Sequence, residues 1–285
     1  MATWLIVDSN YLCHRAHHTF GEMEHNGKPT GVVYGFLRDI IAFQELHQST
    51  KLVFCFDFGA GVRQQYHEDY KANRRNEAEL SDEEIASRKR LQRQIAGLRD
   101  VILKRIGFGN IIFQDGYEAD DVIAAVLPLI PKEDDGIIIS SDHDLWQLIG
   151  PRVCCWNPTT QVSMSWHSFR KIWKMQPDDW AEVKAIAGCQ SDNVQGVRGV
   201  GEVTAAKYIR GELKPTAKAF NSIEAAGDII KRNRKLVTLP YPGLRPISLA
   251  EDGVTDEKWR AVSDFLGMPS LRGGFQKSRR GLLDG

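Results

Sequence analysis

Trp4-Leu5-Ile6-Val7-Asp8, close to the start of the chain, is a short apolar run that ends in an acid. The same pattern returns in Leu52-Val53-Phe54-Cys55-Phe56-Asp57 and in Ile137-Ile138-Ile139-Ser140-Ser141-Asp142. Continuous apolar runs of this length are typical of buried strands in a parallel sheet. Because ligands of such sheets bind beyond the carboxyl ends of the strands, the three runs predict an acid-lined site at one edge of the sheet.

Helix-type patterns lie between these runs. Residues 31–46 repeat apolar side chains at helical spacing, and residues 119–129 are predicted to form a helix ended by Pro131. Between 63 and 105 the chain is charged and helix-prone, with a capping box at Ser81-Asp82-Glu83-Glu84. The alternation of strand and helix predicts an α/β fold whose parallel sheet is covered on both faces.

A change of character near residue 177 predicts a domain boundary. Beyond it, short helical segments are broken by glycines, and no convincing strand is visible. We therefore expect one domain over 1–176, a second, helical domain over 177–270, and a basic and mobile tail over 271–285.

Composition excludes several classes of protein. The chain has 285 residues, and its 37 basic and 37 acidic residues give a net charge of zero, so no global field draws it toward nucleic acid. No apolar stretch approaches the roughly 20 residues needed to span a bilayer. The five cysteines form no CxxC pair, and the N-terminus runs into a strand without a signal peptide. We therefore expect a soluble protein of the reducing cytoplasm that does not bind membranes.

Eight acids follow the predicted strands or open the helices after them. They are Asp8, Asp57, Glu118, Asp120, Asp121, Asp142, Asp144 and Asp192. A single acid at such a position is more often a helix cap or a partner of the helix dipole. Several carboxylates that converge at one sheet edge, however, repel one another unless a hard cation neutralises them, and oxygen-only ligand sets select Mg²⁺ or Mn²⁺. Their recurrence therefore favours a metal site with more than one ion.

Two other stretches have the composition of nucleic-acid contacts. Gly199-Val200-Gly201, ahead of a helix predicted over 203–209, exposes backbone N–H groups that suit a phosphate, although a tight turn without a ligand is the alternative. Residues 66–75 interleave aromatic side chains with Lys and Arg, which suits base stacking and phosphate contact or, equally, a solvated helix face. His14 and His18 are four residues apart with no third metal-type residue near, and we interpret them as structural.

These motifs together resemble the 5′ nuclease superfamily: phage flap endonucleases, RNase H-type 5′ exonucleases and the 5′–3′ exonuclease domain of bacterial DNA polymerase I. The resemblance covers roughly residues 3–210. Its motifs, in the family's order, are Leu5-Ile6-Val7-Asp8, Pro29-Thr30-Gly31 with Tyr34-Gly35-Phe36, Phe56-Asp57, Tyr70-Lys71-Ala72-Asn73-Arg74, Glu118-Ala119-Asp120-Asp121, Asp142-His143-Asp144 with Gln147-Leu148, and Ser191-Asp192-Asn193 through Gly201. The resemblance implies a parallel-sheet, PIN-like nuclease domain with a helical arch at about 63–105, followed by an all-α helix–three-turn–helix domain that grips duplex DNA.

The resemblance also implies roles for individual residues. The eight acids would be metal ligands or their water-mediated partners, with Asp192 at the second metal and Asp142 also counted as catalytic. Lys71 and Arg74 fall on the arch, where the family steers the scissile phosphate with basic side chains. Contacts to DNA are expected from Arg63, Tyr70, Lys71, Arg74, Arg75, Lys184, Gly199, Gly201, Thr204 and Lys207. The implied cofactors are two Mg²⁺ ions, replaceable by Mn²⁺, and K⁺ at the glycine hairpin.

The sequence departs from the family pattern at two places. The family usually reads Gly-Asp-x-Ser-Asp-Asn, whereas here Cys189 stands in place of the first Asp, so one carboxylate of the second metal site is missing. The family's hairpin tends to read Gly-x-Gly-Pro-Lys-Thr-Ala, and the stretch 199–205 lacks that Lys. We expect a weakened or altered second metal site, and a weaker phosphate contact unless Lys207 substitutes.

The function implied by the resemblance is a divalent-metal-dependent 5′–3′ exonuclease and flap endonuclease. Its substrates would be 5′ ends, flaps and RNA primers on duplex DNA in replication or repair, with a polymerase or single-strand binding protein as partner and a monomeric state. The length of the chain and Lys184 favour a phage member acting in the host cytoplasm. Two alternatives remain: a structure-specific DNA-binding protein whose nuclease activity has decayed, which Cys189 favours, and a ribonuclease built on a similar acid-centred fold.

Overall fold

The computed structural model of the chain describes residues 1–74 and 80–273. The strands are β1 (Thr3–Asp8), β2 (Glu24–His25), β3 (Lys28–Pro29), β4 (Lys51–Cys55), β5 (Ile111–Ile112), β6 (Asp135–Ile139), β7 (Val153–Asn157), β8 (Val162–Met164), β9 (Gly188–Cys189) and β10 (Val194–Gln195). The α-helices are α1 (Ser9–Phe20), α2 (Gly31–His47), α3 (Gly61–Tyr66), α4 (Asp82–Gly97), α5 (Leu103–Ile106), α6 (Ala119–Val126), α7 (Trp166–Trp173), α8 (Trp180–Ala187), α9 (Glu202–Ile209), α10 (Lys218–Glu224), α11 (Gly227–Val237) and α12 (Asp256–Phe265). A π-helical turn, Leu98–Ile102, joins α4 to α5.

Six strands form one sheet in the order β5-β4-β1-β6-β7-β8. All neighbours in it run parallel except the edge strand β8, which is antiparallel to β7. Leu5 in the central strand pairs with Leu52 on one side and with Ile137 on the other. The predicted α/β fold with a mostly parallel sheet is confirmed, and the ends of β1, β4 and β6 lie side by side.

Helices cover both faces of this sheet, which explains why its strands are apolar without interruption. Leu5 and Val7 pack into one hydrophobic cluster with α1 and α2, whereas Ile6 packs into a second cluster with α6, α8 and α11. Successive side chains of a strand point to opposite faces, so both sets of residues are buried.

The part of the chain after residue 177 differs from the prediction that it contains no strand. Gly188–Cys189 and Val194–Gln195 pair antiparallel as a two-stranded hairpin. A strand of two residues is too short to produce an alternating pattern, so no sequence signal indicates this hairpin.

The hydrophobic cores do not divide at residue 177. The hydrophobic cluster that contains Ile6 also includes residues of α8 and α11. Apolar side chains of residues 250–271 pack in the other cluster, against strands and helices of the first half of the chain. Trp259 of α12 is 1% exposed and packs in the same cluster as Leu5. The Asn110 side chain fixes this return, because its amide donates to Ala250 O at 2.8 Å and its oxygen accepts from Ala250 N at 2.8 Å. The helix–three-turn–helix domain over 177–270 stays a prediction.

Several predicted features lie outside the described residues. These are Arg75, the side chain of Arg74, and residues 274–285 of the basic tail. Within residues 1–74 and 80–273, no helix combines the length and apolar content that crossing a bilayer requires.

Candidate metal centre

The carboxyl ends of the central strands open into one cavity of about 560 Å³. Its lining includes six of the eight predicted acids, namely Asp8, Asp57, Glu118, Asp120, Asp142 and Asp144. Asn10, Tyr11, His14, Lys71, Ser140, Ser141, His143, Lys184, Cys189 and Ser191 complete it. The strand order therefore brings together acids that are far apart in the sequence.

Local hydrogen bonds fix the acids at the ends of β1 and β4. Asp8 caps α1, since its Oδ1 accepts from Tyr11 N at 3.0 Å, and its Oδ2 accepts from the Ser140 hydroxyl at 2.8 Å. The Asp57 carboxylate accepts a hydrogen bond of 2.7 Å from the backbone N–H of Ala119, which is the first residue of α6. The carboxylates are thus held in place by helix termini, which supply N–H groups without partners inside the helix.

Crowding of these acids shifts their protonation. Burial, and then the neighbouring Asp57, raise the pKa of Asp8 to about 7. Burial and Asp144 raise the pKa of Asp142 to about 6, and burial with Asp142 raises the pKa of Asp120 above its ordinary range. An acid whose pKa rises this way is in an environment that disfavours its charge. A divalent cation bound among these oxygens removes that penalty, so the donor set fits a metal site.

Lys71 brings a positive charge into the cavity. Its Nζ contacts Glu118 Oε1 and lies 3.5 Å from Asp192 Oδ1. Its backbone is in the left-handed region, with φ of 53°, and its N–H donates to Asp192 O at 2.9 Å. A non-glycine residue rarely takes this conformation unless the surroundings require it. The position of Lys71 at the cavity wall is therefore imposed by the fold.

Tyr70 does not occupy the surface position expected of a base-stacking residue. It is 3% exposed, and its hydroxyl donates to Glu118 Oε2 at 2.7 Å and lies 3.2 Å from Asp192 Oδ2. Burial, and then the charge of Glu118, raise the pKa of the Tyr70 hydroxyl. The structure corrects the expectation that Tyr70 contacts DNA, and it gives the side chain a role in orienting two acids.

Arg63 and Asp121 form a buried ion pair outside the cavity lining. The distances are 2.5 Å from Arg63 Nη1 to Asp121 Oδ2 and 2.7 Å from Nη2 to Oδ1, and Asp121 Oδ1 also accepts from Tyr241 N at 2.7 Å. Arg63 is 2% exposed and donates to Leu236 O at 2.8 Å. Arg63 is therefore buried where the sequence suggested a DNA contact, and both oxygens of Asp121 are engaged by Arg63 and Tyr241, next to Glu118, which Arg63 Nη1 approaches to 3.4 Å.

A second group of ligand-type side chains consists of Asp144 and Cys189, which line the cavity, together with Asp192. Ligand atoms of Asp144, Cys189 and Asp192 all lie within 4.8 Å of one another. Lys184 Nζ lies 2.8 Å from Asp144 Oδ1 and 3.0 Å from Glu202 Oε1. Burial lowers the pKa of Lys184, but Asp144, Cys189 and Glu202 together outweigh burial and raise that pKa. Burial and then Asp144 raise the pKa of the Cys189 thiol to about 12.

The glycine hairpin is open to solvent. Gly199 has φ of +77°, and a Cβ at Gly199 or Gly201 would meet no atom within 4 Å. Gly201 is the residue before α9, on which Thr204 is half-buried and Lys207 is exposed. Backbone N–H groups are thus accessible there, while the contacts to DNA and the K⁺ site stay predictions.

Sequence reasoning missed one wall of the cavity. His14, interpreted as structural, lines the cavity together with Asn10 and Tyr11. Asn10 and His14 are four residues apart on α1, directly after Asp8, so their helical spacing places them on one face. His143 also borders the cavity and stacks on Trp146, with ring centroids 3.8 Å apart.

Most of the residues that line the cavity lie in a stretch of the chain that matches a known protein family. Residues 3–175 match the family described as "5'-3' exonuclease, N-terminal resolvase-like domain". The chain belongs to this family. As a 5′–3′ exonuclease family member it is classed among the nucleases, and hence among the hydrolases.

Curated relatives agree with the membership in the 5′–3′ exonuclease family. The 5′-3′ exonuclease of Mycoplasmopsis pulmonis is 30% identical over 236 residues, which cover 82% of this chain and 74% of that protein. The 5′-3′ exonuclease of Bacillus subtilis is 33% identical over 217 residues, covering 72% of this chain and 69% of that protein. Thermostable DNA polymerase I of Thermus aquaticus is 30% identical over 232 residues, covering 78% of this chain. The matched part is 26% of the polymerase, so the chain spans about a quarter of that relative's length.

Solved structures show the same fold. T5 5′-exonuclease with bound divalent metal ions (zinc) has a TM-score of 0.72 at 22% identity, covering 99% of this chain and 98% of that chain. The catalytic core of Rad2 in complex with a DNA substrate has a TM-score of 0.57 at 17% identity, and the match covers 99% of this chain and 92% of that chain. These likenesses extend over the whole 5′–3′ exonuclease fold, the second half of the chain included.

Proposed function

We propose that this 5′–3′ exonuclease family member is a divalent-metal-dependent phosphodiesterase that acts on 5′ ends and 5′ flaps of duplex DNA, including annealed RNA primers. The observation that carries the proposal is the convergence of six acids and Lys71 on one cavity at the carboxyl edge of the sheet. Relatives named 5′-3′ exonuclease, and a bacteriophage T5 flap endonuclease solved with DNA and metal ions, support this reaction class.

Two groups of residues would hold the cations, for which we propose Mg²⁺, with Mn²⁺ as a substitute. Asp8, Asp57, Glu118 and Asp120 would hold the first cation, and Asp144, Cys189 and Asp192 the second, with Asp142 between the two groups. Such cations lower the pKa of a bound water and stabilise the leaving oxygen of a phosphodiester. Asp121 is left out of the set because Arg63 occupies its oxygens.

Lys71 would bind the scissile phosphate. Its ammonium contacts Glu118 at the cavity wall, so it lies close to the acids and can move to a phosphate oxygen without leaving the site. A fixed positive charge stabilises the charge that develops on the phosphate, which is often the largest catalytic contribution of a side chain. The products would be a 5′-phosphate and a 3′-hydroxyl, and no side chain needs to act as a covalent nucleophile.

The duplex would be held away from the cavity. Gly199, Gly201, Thr204 and Lys207 offer backbone N–H groups, a hydroxyl and an ammonium at the start of α9, all of which suit phosphates. Lys184 is 7% exposed and ion-paired with Asp144, so we propose that it balances the charge of that acid when no cation is bound, instead of making the DNA contact expected earlier. Monomeric action and a polymerase or single-strand binding partner stay predictions.

The test is cleavage of a 5′-labelled flap duplex in Mg²⁺ by Asp142→Asn. The amide keeps an oxygen for the 2.8 Å hydrogen bond from Asp144 N but removes the charge that faces the cavity. We expect cleavage to fall by roughly 100-fold or more. Asp228→Asn, at an exposed acid of α11, is the control and should cleave at the normal rate. Normal cleavage by Asp142→Asn would refute the metal assignment.

A DNA-binding protein with decayed nuclease activity is the second candidate. Cys189 favours it, because a thiol stands where the family resemblance places a carboxylate. Tight binding of the flap duplex without cleavage in Mg²⁺ or Mn²⁺ would establish this alternative.

A further inference from the structure

We propose that Cys189 turns the second cation position of this chain into a mixed thiolate–carboxylate site that selects thiophilic divalent cations such as Zn²⁺ and Cd²⁺ over Mg²⁺. The inference rests on the proposed function, because it concerns the cation that completes the same cavity.

Three separate elements bring the donors together. Cys189 ends β9, Asp192 ends the 3₁₀ turn Gln190–Asp192, and Asp144 lies in the 3₁₀ turn His143–Leu148 after β6. Their Sγ and carboxylate oxygens lie within 4.8 Å of one another, so a single cation can contact all three. Among the described residues, no other group of Cys, His, Asp and Glu side chains meets this spacing.

Asp144 offers an oxygen to such a cation. Its Oδ1 is buried, and Lys184 Nζ lies 2.8 Å away without forming a well-aligned hydrogen bond. Lys184 also lies 3.0 Å from Glu202, so it keeps an ion pair when a cation takes the place of its ammonium at Asp144. The arrangement therefore accepts a cation without leaving a buried ammonium unpaired.

The donor chemistry decides which cation binds. Mg²⁺ takes oxygen ligands, and a sulfur donor contributes nothing to its preferred shell. Thiolate ligands select softer cations, of which Zn²⁺ is a common one at Cys and Asp side chains. The first group, Asp8, Asp57, Glu118 and Asp120, consists of oxygen donors alone and keeps its preference for Mg²⁺. The two positions of this cavity would thus prefer different metals.

The other cysteines cannot provide this ligand. Cys13, Cys55 and Cys155 are buried in the hydrophobic clusters, and Cys154 is half-buried on β7. Cys154→Ser is therefore a matched control for Cys189→Ser, since each variant replaces one thiol by a hydroxyl.

The test is titration of the full chain with Cd²⁺, followed by the ultraviolet absorption of a thiolate–cadmium bond and by calorimetry. We expect one thiolate band that saturates near one equivalent in the unaltered protein and in Cys154→Ser. Cys189→Ser and Cys189→Asp should lose the band, and Cys189→Ser should bind Cd²⁺ at least about tenfold more weakly. Cys189→Asp should bind Mg²⁺ more tightly than the unaltered protein. A band that persists in Cys189→Ser, or is absent from the unaltered protein, would overturn the proposal.

Cleavage assays separate this inference from the proposed function. If no cation supports flap cleavage while Cys189 gives the cadmium band, the function fails and the site stands. If Mg²⁺ alone supports full cleavage and Cys189→Asp changes neither Mg²⁺ affinity nor the cadmium band, the inference fails and the function stands. Thermal unfolding of each variant, recorded beside the unaltered protein, shows whether a lost band reflects a lost ligand or a lost fold.

Discussion

Asp8 shows at the scale of one residue how stability and function compete. It ends the central strand, caps α1 and faces the acids of the cavity. The cap stabilises the helix, but burial and Asp57 disfavour the charged carboxylate, whose pKa is about 7. Sites that are strained for function commonly lower the stability of the fold in this way.

Asp8→Asn should therefore stabilise the metal-free protein. The amide oxygen retains the cap to Tyr11, and Asn is as good a cap as Asp, while the repulsion from Asp57 disappears. We expect a higher Tm than that of the unaltered protein in a metal chelator at about pH 8, together with loss of flap cleavage. A lower Tm for Asp8→Asn would show that the charged Asp8 carboxylate does not destabilise the metal-free protein.

The raised pKa of Asp8 also predicts how the stability of the metal-free protein depends on pH. The folded pKa of Asp8 is about 7, above an unfolded value of roughly 4, so the folded protein binds the extra proton between these values. The contribution of Asp8 to the free energy of unfolding is thus greatest below about pH 4 and falls as the pH rises to about 7. The difference in Tm between the unaltered protein and Asp8→Asn should widen from about pH 5 to about pH 8 in chelator, and millimolar Mg²⁺ should reduce it. A difference that is constant with pH would refute the shift.

Residue type and spacing predicted which acids gather, but not all of their partners. Asp8, Asp57 and Asp142 follow apolar strands, and that local pattern sufficed to place them. Asp121 belongs to the acids that open the helix α6, yet its partner Arg63 lies 58 residues away in the chain. Long-range ion pairs leave no mark in local sequence, so the exclusion of Asp121 required the fold.

The β9–β10 hairpin depends on two glycines that lie very close to the backbone atoms of neighbouring residues. A Cβ at Gly196 would lie 2.0 Å from Ala187 O, and a Cβ at Gly188 would lie 2.4 Å from Gly196 N. Gly188 also has φ of +81°. This hairpin places Cys189 and supports the turn that ends at Asp192, so the second cation position depends on it.

Gly196→Ala should disturb the hairpin and the second cation position together. We expect the free energy of unfolding to fall by roughly 1–3 kcal/mol, because the methyl group clashes with backbone atoms that cannot rotate away. Binding of Cd²⁺ at Cys189 should weaken in the same variant. Gly227→Ala is the control, since a Cβ there meets no atom within 4 Å. Equal effects of both substitutions on stability and Cd²⁺ binding would contradict the role of the hairpin.

In the molecule as a whole, α12 and the residues around it, at the end of the described chain, pack into the hydrophobic core that the first strands and helices form. Trp259 is 1% exposed, and its indole N–H donates to Leu271 O at 2.7 Å. The packing of α12 against α5 could not be read from the sequence, because nothing local indicates which surface an amphipathic helix covers.

Trp259→Ala should consequently cost about 3–5 kcal/mol in the free energy of unfolding, measured by chemical denaturation. Ile172→Ala, at a side chain that is 60% exposed, should change it by less than about 0.5 kcal/mol. Comparable effects of the two substitutions would show that residues 250–271 are not part of the cooperative core.

DNA binding should depend on local charge, since the net charge of the chain is zero. Lys207 is exposed on α9 beside the glycine hairpin. Lys207→Ala should reduce the slope of log affinity against log salt by about 1 and weaken binding equally for flap duplexes of different sequence. An unchanged slope would remove Lys207 from the duplex contact.

The most direct test of the acidic cavity is a crystal of the protein soaked in Mn²⁺ and measured for anomalous scattering. We predict a strong peak bonded to oxygens of Asp8, Asp57 or Asp120 and a weaker second peak, roughly 4 Å from the first, beside Asp144, where the Cys189 sulfur suits Mn²⁺ less well. No peak within the cavity, or a peak at the Arg63–Asp121 pair, would show that these acids are not the ligands of the metal ions.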